Sequence, residues 1–349
     1  MLDDMNVIKQ RDRDDALGVT GRQYEQVDYV VALENPEHDG RQLNNVVIAG
    51  MGGSALAADL AKVLLNDRLA LPLEVIKHYR LPNYVDEQTL VIVSSNSGNT
   101  EETLACLDEA RQRGAQIAAT ATGGTLTDQA REYSIMLAPF PHNGQPRMGM
   151  LYNLRAILTI LVAFGVVSPS ILDELACTRS WLQAETEKWV KEVTTVHNYA
   201  KQLALIAVGK TAEFIGSDLT SSIAYKWKIS WNENAKNVAY WGALPELNHN
   251  EFMGWTSHPI EKPFVIFDIR SDLDHPQIAK RFELTDRLLS GRRPKANEVW
   301  LEGDTLMKQL LWGCILADFV SIYVGILNGV DPTQVDLIEK FKKELAGEE

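Results

Sequence analysis

From Val91 to Thr103 the chain reads VIVSSNSGNTEET, and it changes character twice along the way. The apolar run Leu90–Val93 gives way to a cluster of small hydroxyl and amide side chains. At Glu101-Glu102-Thr103 a helical pattern opens and continues through Leu104, Leu107 and Ala110. Such a succession predicts a strand, a tight loop and a helix N-terminus. The loop offers the hydroxyls of Ser94, Ser95, Ser97 and Thr100, and Gly98 lets the backbone turn sharply and approach a ligand closely. N–H groups opening a helix, set beside several hydroxyls, suit a doubly charged phosphate. Ser, Thr and Asn are also ordinary capping residues. The stretch alone therefore leaves two readings open, a phosphate loop or a plain cap.

A second stretch of the same kind tips the balance. Asn45–Ala49 (NVVIA) is a short buried-strand pattern that runs into Gly50-Met51-Gly52-Gly53-Ser54, followed by the Ala- and Leu-rich helical stretch Ala55–Leu65. A dinucleotide-binding fingerprint is poorly matched. Ala55 stands at its last glycine position, which only the relaxed pattern allows, and the next strand ends in Lys77-His78 with no acidic residue for a ribose. The Walker A reading fails as well, because the GKT at Gly209-Lys210-Thr211 has Ala204 where its first glycine belongs.

Further strands are expected at Leu73–His78, Leu90–Val93, Ala115–Ala119 and Ser134–Leu137, with helices at Glu101–Arg113 and Leu126–Glu132 between them. Another helix is expected at Tyr24–Leu33. This alternation predicts an α/β fold with a parallel sheet covered on both faces. Ligands of such sheets bind outside the carboxyl ends of the strands, where the loops Gly50–Ser54 and Ser94–Thr100 would face one crevice. Residues 151–200 read as mostly helical, with a break at Pro169 and an amphipathic stretch at Leu182–Val190. The alternation then restarts. A strand is expected at Leu203–Val208, a loop and helix start at Gly209–Gly216, strands at Pro263–Asp268 and Glu298–Leu301, and a long apolar helix at Leu306–Leu327. Two α/β domains follow, 1–175 and 176–349, similar in architecture without obvious sequence repetition.

Composition bounds the function. A chain of 349 residues with 45% apolar and 23% charged residues has the make-up of a globular protein with a sizeable core. Its net charge of −13 argues against nucleic acid as a main partner, so an anionic substrate needs a locally positive pocket. Cys106, Cys177 and Cys314 lie far apart with no CxxC spacing, and are expected to be reduced thiols of a cytoplasmic protein. The opening MLDDMNVIKQRDRDD is too acidic and polar for a signal peptide. The apolar stretches near Ala156–Val167 and Leu310–Leu327 carry Gly, Asp or Ser interruptions and fit buried helices better than membrane spans. No HxH, HExxH or His/Cys cluster suggests a metal, and no cofactor is expected.

In the second half, WNENAKN at Trp231–Asn237 and ELNHNE at Glu246–Glu251 are unusually polar. They bring a helical carboxylate, Glu233, and an imidazole sixteen residues later, His249. Moving a proton between adjacent carbons needs a carboxylate base and a second group to handle hydroxyl protons, a task that imidazole suits near neutral pH. Spacing alone does not place the two together, and a solvated polar loop accounts for the same residues. Arg147, in GQPRMG, sits in a Pro/Gly loop after a strand. An Arg in such a loop is usually at the surface; at the crevice it would stabilise a developing enediolate oxygen. Lys342 is one of three lysines, with Lys340 and Lys343, on the C-terminal helical stretch Pro332–Leu345, and charge pattern alone does not separate them.

The ordered set IAGMGGSALAADL, VSSNSGNTEET, ATGGTL, QPRMG, NENAKN…ELNHNEFMGW and DPTQVDLIEKFKKEL resembles the bifunctional phosphoglucose/phosphomannose isomerase family from Val46 to Leu345. SGNT-type loops are shared by all sugar isomerase (SIS) domains, whereas NEN…LNHNE is specific to the isomerases. The resemblance implies two SIS domains, each a parallel β-sheet flanked by α-helices, in a homodimer that interconverts aldose and ketose 6-phosphates without metal. By motif position, Gly52, Gly53 and Ser54 would line the pocket, and Ser95, Ser97 and Thr100 would hold the phosphate. Glu233 would be the base that moves a proton between C1 and C2 through a cis-enediol. His249 would open the sugar ring, reaching into the partner subunit's site. Arg147 would stabilise the enediolate, and Lys342 matches the C-terminal active-site lysine. Three positions depart from the family pattern: Asn96 replaces the Tyr of SYSGNT, Thr125 the Lys of GGKL, and Gln334 the second Pro of DPTPV. None removes a proposed catalytic group, but Asn96 leaves the preference between glucose and mannose configurations open.

Two other readings use the same loops. One is a non-catalytic SIS protein that senses a sugar phosphate or regulates a partner; the other is an isomerase of a different sugar or amino-sugar phosphate. The joint presence of Glu233, His249 and Arg147 argues against the first, and NEN…LNHNE against the second.

Overall fold

Two parallel sheets organise the computed structural model, which describes residues 1–257, 263–345 and 347. His258, the neighbour of the polar LNHNE segment, lies outside the described residues. The first sheet comprises β1 (Asn45–Gly50), β2 (Leu73–Ile76), β3 (Thr89–Ser95), β4 (Gln116–Ala121) and β5 (Met136–Pro139), in the order β2-β1-β3-β4-β5. The second comprises β6 (Thr211–Gly216), β7 (Ala239–Ala243), β8 (Phe264–Arg270) and β9 (Asn297–Trp300), in the order β7-β6-β8-β9. All strand pairs are parallel. The second order repeats that of the first four strands of the first sheet, so the chain lays down one architecture twice, as the expectation of two similar α/β domains requires.

The strands form because runs such as NVVIAG and TLVIVSS are apolar on both faces and are buried on both. In the first unit Val47, Val91, Val93 and Ala119 meet Cys106, Leu107, Ala110 and Leu126 of the helices Glu101–Gln112 and Gly124–Glu132 in one core. The helices Gly52–Leu65 and Met150–Ala163 pack on each other.

By its contacts the chain divides into two compact units. One is 22–184 with 303–311, which holds the first sheet; the other is 1–21, 185–302 and 312–349, which holds the second. The chain's opening residues thus belong with the second sheet, unlike a single cut after residue 175. Charge and hydrogen bonding tie them there: Asp3 meets Lys201, Asp15 meets Lys191, and Asp14 accepts from Gln334.

Three segments differ from the sequence expectation. Tyr24–Leu33 is not a helix; one 3₁₀ turn at Gln23–Gln26 is followed by irregular chain. Arg155 there takes the carbonyls of Val27 and Tyr29, which replaces the intrahelical partners those groups would otherwise need. Leu203–Val208 is not a strand but the end of the helix Tyr199–Ala207, and Gly209–Gly216, expected as a loop and helix start, contains the strand instead, Thr211–Gly216. Asn198 caps that helix by accepting from the Lys201 N–H at 3.0 Å, and the buried Ala200, Leu203, Ala204 and Ala207 follow helical spacing. A continuous apolar run hides that spacing, and a carboxylate in mid-strand, Glu213, hides the true β6.

Candidate active site

In the first sheet the chain leaves β1 toward β2 on one side and returns to β3 on the other. This is the reversal of winding at which open α/β sheets bind ligands. Gly50 at the end of β1 is paired with Ser94 at the end of β3, so the two loops that follow start side by side. The Asn96 N–H donates to Ser54 Oγ at 3.0 Å and fastens one loop to the other. A Cβ on Gly50 would come within 2.9 Å of the Ser94 carbonyl oxygen, and one on Gly53 within 3.2 Å of the Pro146 carbonyl oxygen. Glycine at these two positions lets three backbone segments close on one another.

The Ser/Thr loop is built mostly from its own side chains. Ser95 Oγ and Thr100 Oγ1 are hydrogen-bonded at 2.8 Å, and Ser95 Oγ also accepts from the Gly98 N–H at 3.1 Å. Gly98 has φ +70°, and a Cβ there would meet the Gly123 carbonyl oxygen at 1.8 Å. No other residue fits that turn. Asn99 Oδ1 accepts from both the N–H and the hydroxyl of Thr125, so the residue standing at the family's usual lysine position buttresses the loop. Thr100 is the N-cap of the helix Glu101–Gln112, yet its side chain makes no capping bond. That hydroxyl is engaged by Ser95, so Thr100 gives the first N–H groups of the helix no side-chain acceptor. Helix N–H groups left in this state form an anion site. Ser97 is exposed at the tip, its hydroxyl accepting from the Asn99 N–H at 3.2 Å.

Arg147 lies in the 3₁₀ turn Pro146–Met148 and is 1% exposed, so it is not the surface residue that its loop suggests. Its backbone packs against Gly53, and Gln26 fixes the turn by donating to the Met148 carbonyl oxygen at 2.7 Å. Asn96, in place of the family's Tyr, packs its amide nitrogen against Gly149, the close of the same turn. Asn153 was not legible as a site residue. It joins Ser94 of β3 and Thr120 of β4 behind the loops, with all three buried. The first unit therefore brings together Gly52, Gly53, Ser54, Ser95, Ser97, Thr100 and Arg147.

The second unit carries Glu233, His249 and Lys342. Glu233 is half-buried at the end of the helix Ser221–Asn234. It borders a cavity of about 690 Å³, shared with Asn232, Lys236, Val330, Asp331, Val335 and Ile338. This volume lies in the range of small-molecule sites. Lys236 Nζ donates to the Glu233 carbonyl oxygen. His249 closes the 3₁₀ turn Glu246–His249 and is exposed. Lys342, also exposed, pairs with Glu339 at 2.9 Å on the helix Asp336–Leu345, which has no buried residue. Behind this polar face lies a buried acid cluster that sequence reading missed. Burial pushes the Glu213 carboxyl well above the usual range, and the neighbouring Glu251 carboxylate, which accepts from the protonated Glu213, adds to the shift. Burial also lifts Asp268 to about 7, against the opposing charges of Arg293 and Arg270. Among the described residues no three His, Cys, Asp or Glu side chains are grouped as a metal site requires.

Both halves carry a parallel sheet flanked by helices, and comparison with known families identifies each as a sugar isomerase domain. Residues 41–167 match the SIS domain, and 196–345 match the bacterial phospho-glucose isomerase C-terminal SIS domain. The chain is 36% identical over 306 residues to the bifunctional phosphoglucose/phosphomannose isomerase of Caldicellulosiruptor bescii, covering 87% of this chain and 90% of that one. It is 33% identical to the protein of the same name from Aquifex aeolicus, covering 86% and 90%. A D-glucosamine-6-phosphate 4-epimerase of Sulfolobus acidocaldarius is 31% identical over 84% of this chain and 87% of its own. In fold, a glucose-6-phosphate isomerase-like protein from Thermus thermophilus superposes with a TM-score of 0.65, at 17% identity over 98% of both chains. The protein belongs to the bifunctional phosphoglucose/phosphomannose isomerase family. It is an aldose–ketose isomerase with two SIS domains.

Proposed function

We propose that this enzyme converts both glucose 6-phosphate and mannose 6-phosphate to fructose 6-phosphate, and back, through a shared cis-enediol. The observation that carries the reading is the crevice of the first unit. There the loops after β1 and β3 are bonded to each other, and the helix behind the Ser/Thr loop opens without a side-chain cap. Such a site favours a phosphate dianion. Ser95, Ser97 and Thr100 hold that phosphate, with Gly52, Gly53 and Ser54 lining the pocket.

Glucose and mannose 6-phosphates differ only in configuration at C2. Removing the C2 proton gives both the same enediol, and returning it to C1 gives the same ketose. Glu233 makes this transfer, taking the proton from C2 and delivering it to C1. Arg147 offsets the charge that appears on the enediolate oxygen, a role for which a buried guanidinium is well matched. His249 opens the sugar ring by moving protons between the ring oxygen and the C1 hydroxyl, and acts in the site of the partner in a homodimer. Lys342 is the fourth catalytic group. We assign the enzyme to the cytoplasm and to hexose phosphate metabolism.

The test is a coupled assay of the EDTA-treated protein, run separately with glucose 6-phosphate and mannose 6-phosphate and read as fructose 6-phosphate formed. Turnover of both is expected, and Glu233→Gln should abolish it while leaving sugar-phosphate binding largely intact. Turnover of glucose 6-phosphate alone would point to a pocket narrowed around Asn96. Binding without turnover of either sugar would overturn the assignment. A Glu233→Gln variant with near-normal turnover would remove that residue as the base.

A further inference from the structure

We propose that Asp318, acting with Lys226 and Ser230, sets the axial register of the helix that carries Glu233 and so positions that carboxylate for proton transfer. The proposal rests on the role given above to Glu233. The helix Leu306–Asn328 is apolar and, over its most apolar window, 94% buried. Between Gln309 and Asn328 it bears one charged residue, Asp318, which is fully buried.

Asp318 Oδ1 accepts from Lys226 Nζ at 2.5 Å and from Ser230 Oγ at 2.8 Å, both on the helix Ser221–Asn234. The contacts continue along both helices in the same direction. Upstream, Trp227 Nε1 donates to the Gly313 carbonyl oxygen at 3.1 Å. Downstream, Asn234 Nδ2 donates to Ser321 Oγ at 2.9 Å, and Asn328 Nδ2 to the Ala235 carbonyl oxygen at 3.0 Å. Gly325 admits the Asn234 carbonyl oxygen, which a Cβ there would meet at 2.5 Å. Lys226, Ser230 and Asn234 stand four residues apart, on one ridge of the helix, and all are fully buried.

A ladder of this kind is poorly explained by stability. Burying an ion pair recovers little of its desolvation, and apolar replacements of similar volume are often as stable or more so. Its distinct effect is on register. Apolar side chains of similar size tolerate small shifts along an interface, whereas hydrogen bonds of fixed length do not. Each residue of slip moves a helix about 1.5 Å along its axis, and a misplacement of about 1 Å at a reacting group lowers rates about a hundredfold. Glu233 stands next to Asn234, the last side-chain rung on its helix, so any error in the ladder is passed directly to the base.

The test compares the double variant Lys226→Met/Asp318→Leu, Ser230→Ala and Glu233→Gln with the parent enzyme, measuring Tm together with kcat and KM for glucose 6-phosphate. The double variant should fold with a Tm equal to the parent's or higher. Its KM should stay within about twofold while kcat falls at least tenfold. Ser230→Ala, which keeps the ion pair, should lower kcat severalfold at unchanged KM, and it decides the matter if the double variant fails to fold. A folded double variant with parental kcat, while Glu233→Gln is inactive, overturns the register role alone. A joint loss of Tm, kcat and substrate affinity in Ser230→Ala reduces the ladder to a structural one and also overturns it. Near-normal turnover in Glu233→Gln removes the base and the register role together.

Discussion

Gly98 and Ser97 are neighbours with opposite demands. Gly98 is fixed by geometry: a positive φ and a Cβ 1.8 Å from a carbonyl oxygen leave no room for alanine. Gly98→Ala should therefore destabilise the first unit by roughly 2 kcal/mol or more, read as a lowered denaturant midpoint, and should weaken sugar-phosphate binding with it. Ser97 is exposed, and its hydroxyl makes a local turn bond with the Asn99 N–H. Ser97→Ala should leave Tm unchanged and raise KM for glucose and mannose 6-phosphates by the same factor, about tenfold if a charge-assisted hydrogen bond of roughly 1.4 kcal/mol is lost. Unequal factors would mean that the hydroxyl touches the sugar instead of the phosphate. Asp268 makes a different kind of prediction. Its pKa is raised from 3.8 to about 7 by burial, so the folded state binds the proton more tightly than the unfolded chain does. The stability gained from keeping it neutral is fully present below about pH 4 and is lost as pH rises through about 7. Asp268→Asn should flatten the profile of Tm against pH between those values, removing a swing on the order of 4 kcal/mol. An unchanged profile would show that the proton is held elsewhere.

At the scale of elements, the contrast is between two helices that carry proposed catalytic groups. The helix Ser221–Asn234 is held in the second unit from Lys226 to Asn234 by buried polar contacts. The helix Asp336–Leu345 has none of its residues buried, and Leu337, Phe341 and Leu345 are exposed. Its amide hydrogens should exchange far faster than those of Ser221–Asn234, because little buried contact opposes local opening. Equal protection in the two helices would contradict this. Lys342→Ala should shift stability by no more than about 0.5 kcal/mol, since its ion pair with Glu339 is exposed on both sides, yet it should lower kcat.

For the whole molecule, the assignment of His249 makes a claim that a single chain does not satisfy. His249 is exposed on its own subunit, and the family reading sends it into the partner's site. A dimer should therefore appear in solution at twice the chain mass of 39.0 kDa. Mixing inactive Glu233→Gln and His249→Ala chains, with exchange of subunits, should restore activity, because one of the two sites in each mixed dimer regains both groups. Absence of rescue in verified mixed dimers would place His249 in the site of its own chain.

The two strand–loop–helix units proposed to hold the phosphate were legible in VIVSSNSGNTEET and IAGMGGSA because they depend on local rules. Strand, tight turn and helix start each have near-neighbour signals, and the parallel alternation then places both loops at one end of one sheet. The same local logic failed at Leu203–Val208, where an apolar run fits strand and helix equally and only the packing of Ala200, Leu203, Ala204 and Ala207 decides. It failed again at Tyr24–Leu33, where Arg155, distant in sequence, takes the backbone carbonyls. Sequence by itself determined the α/β class, the doubled architecture and the chemistry on offer: hydroxyls for a phosphate, Glu233, His249 and Arg147. Tertiary structure alone decided that Arg147 is buried, that Asn153 joins β3 to β4 through Ser94 and Thr120, and that Asp318 meets Lys226 and Ser230. Burial and partnership of polar groups are fixed by residues tens of positions apart, and periodicity in a sequence reports only what lies within a turn or two.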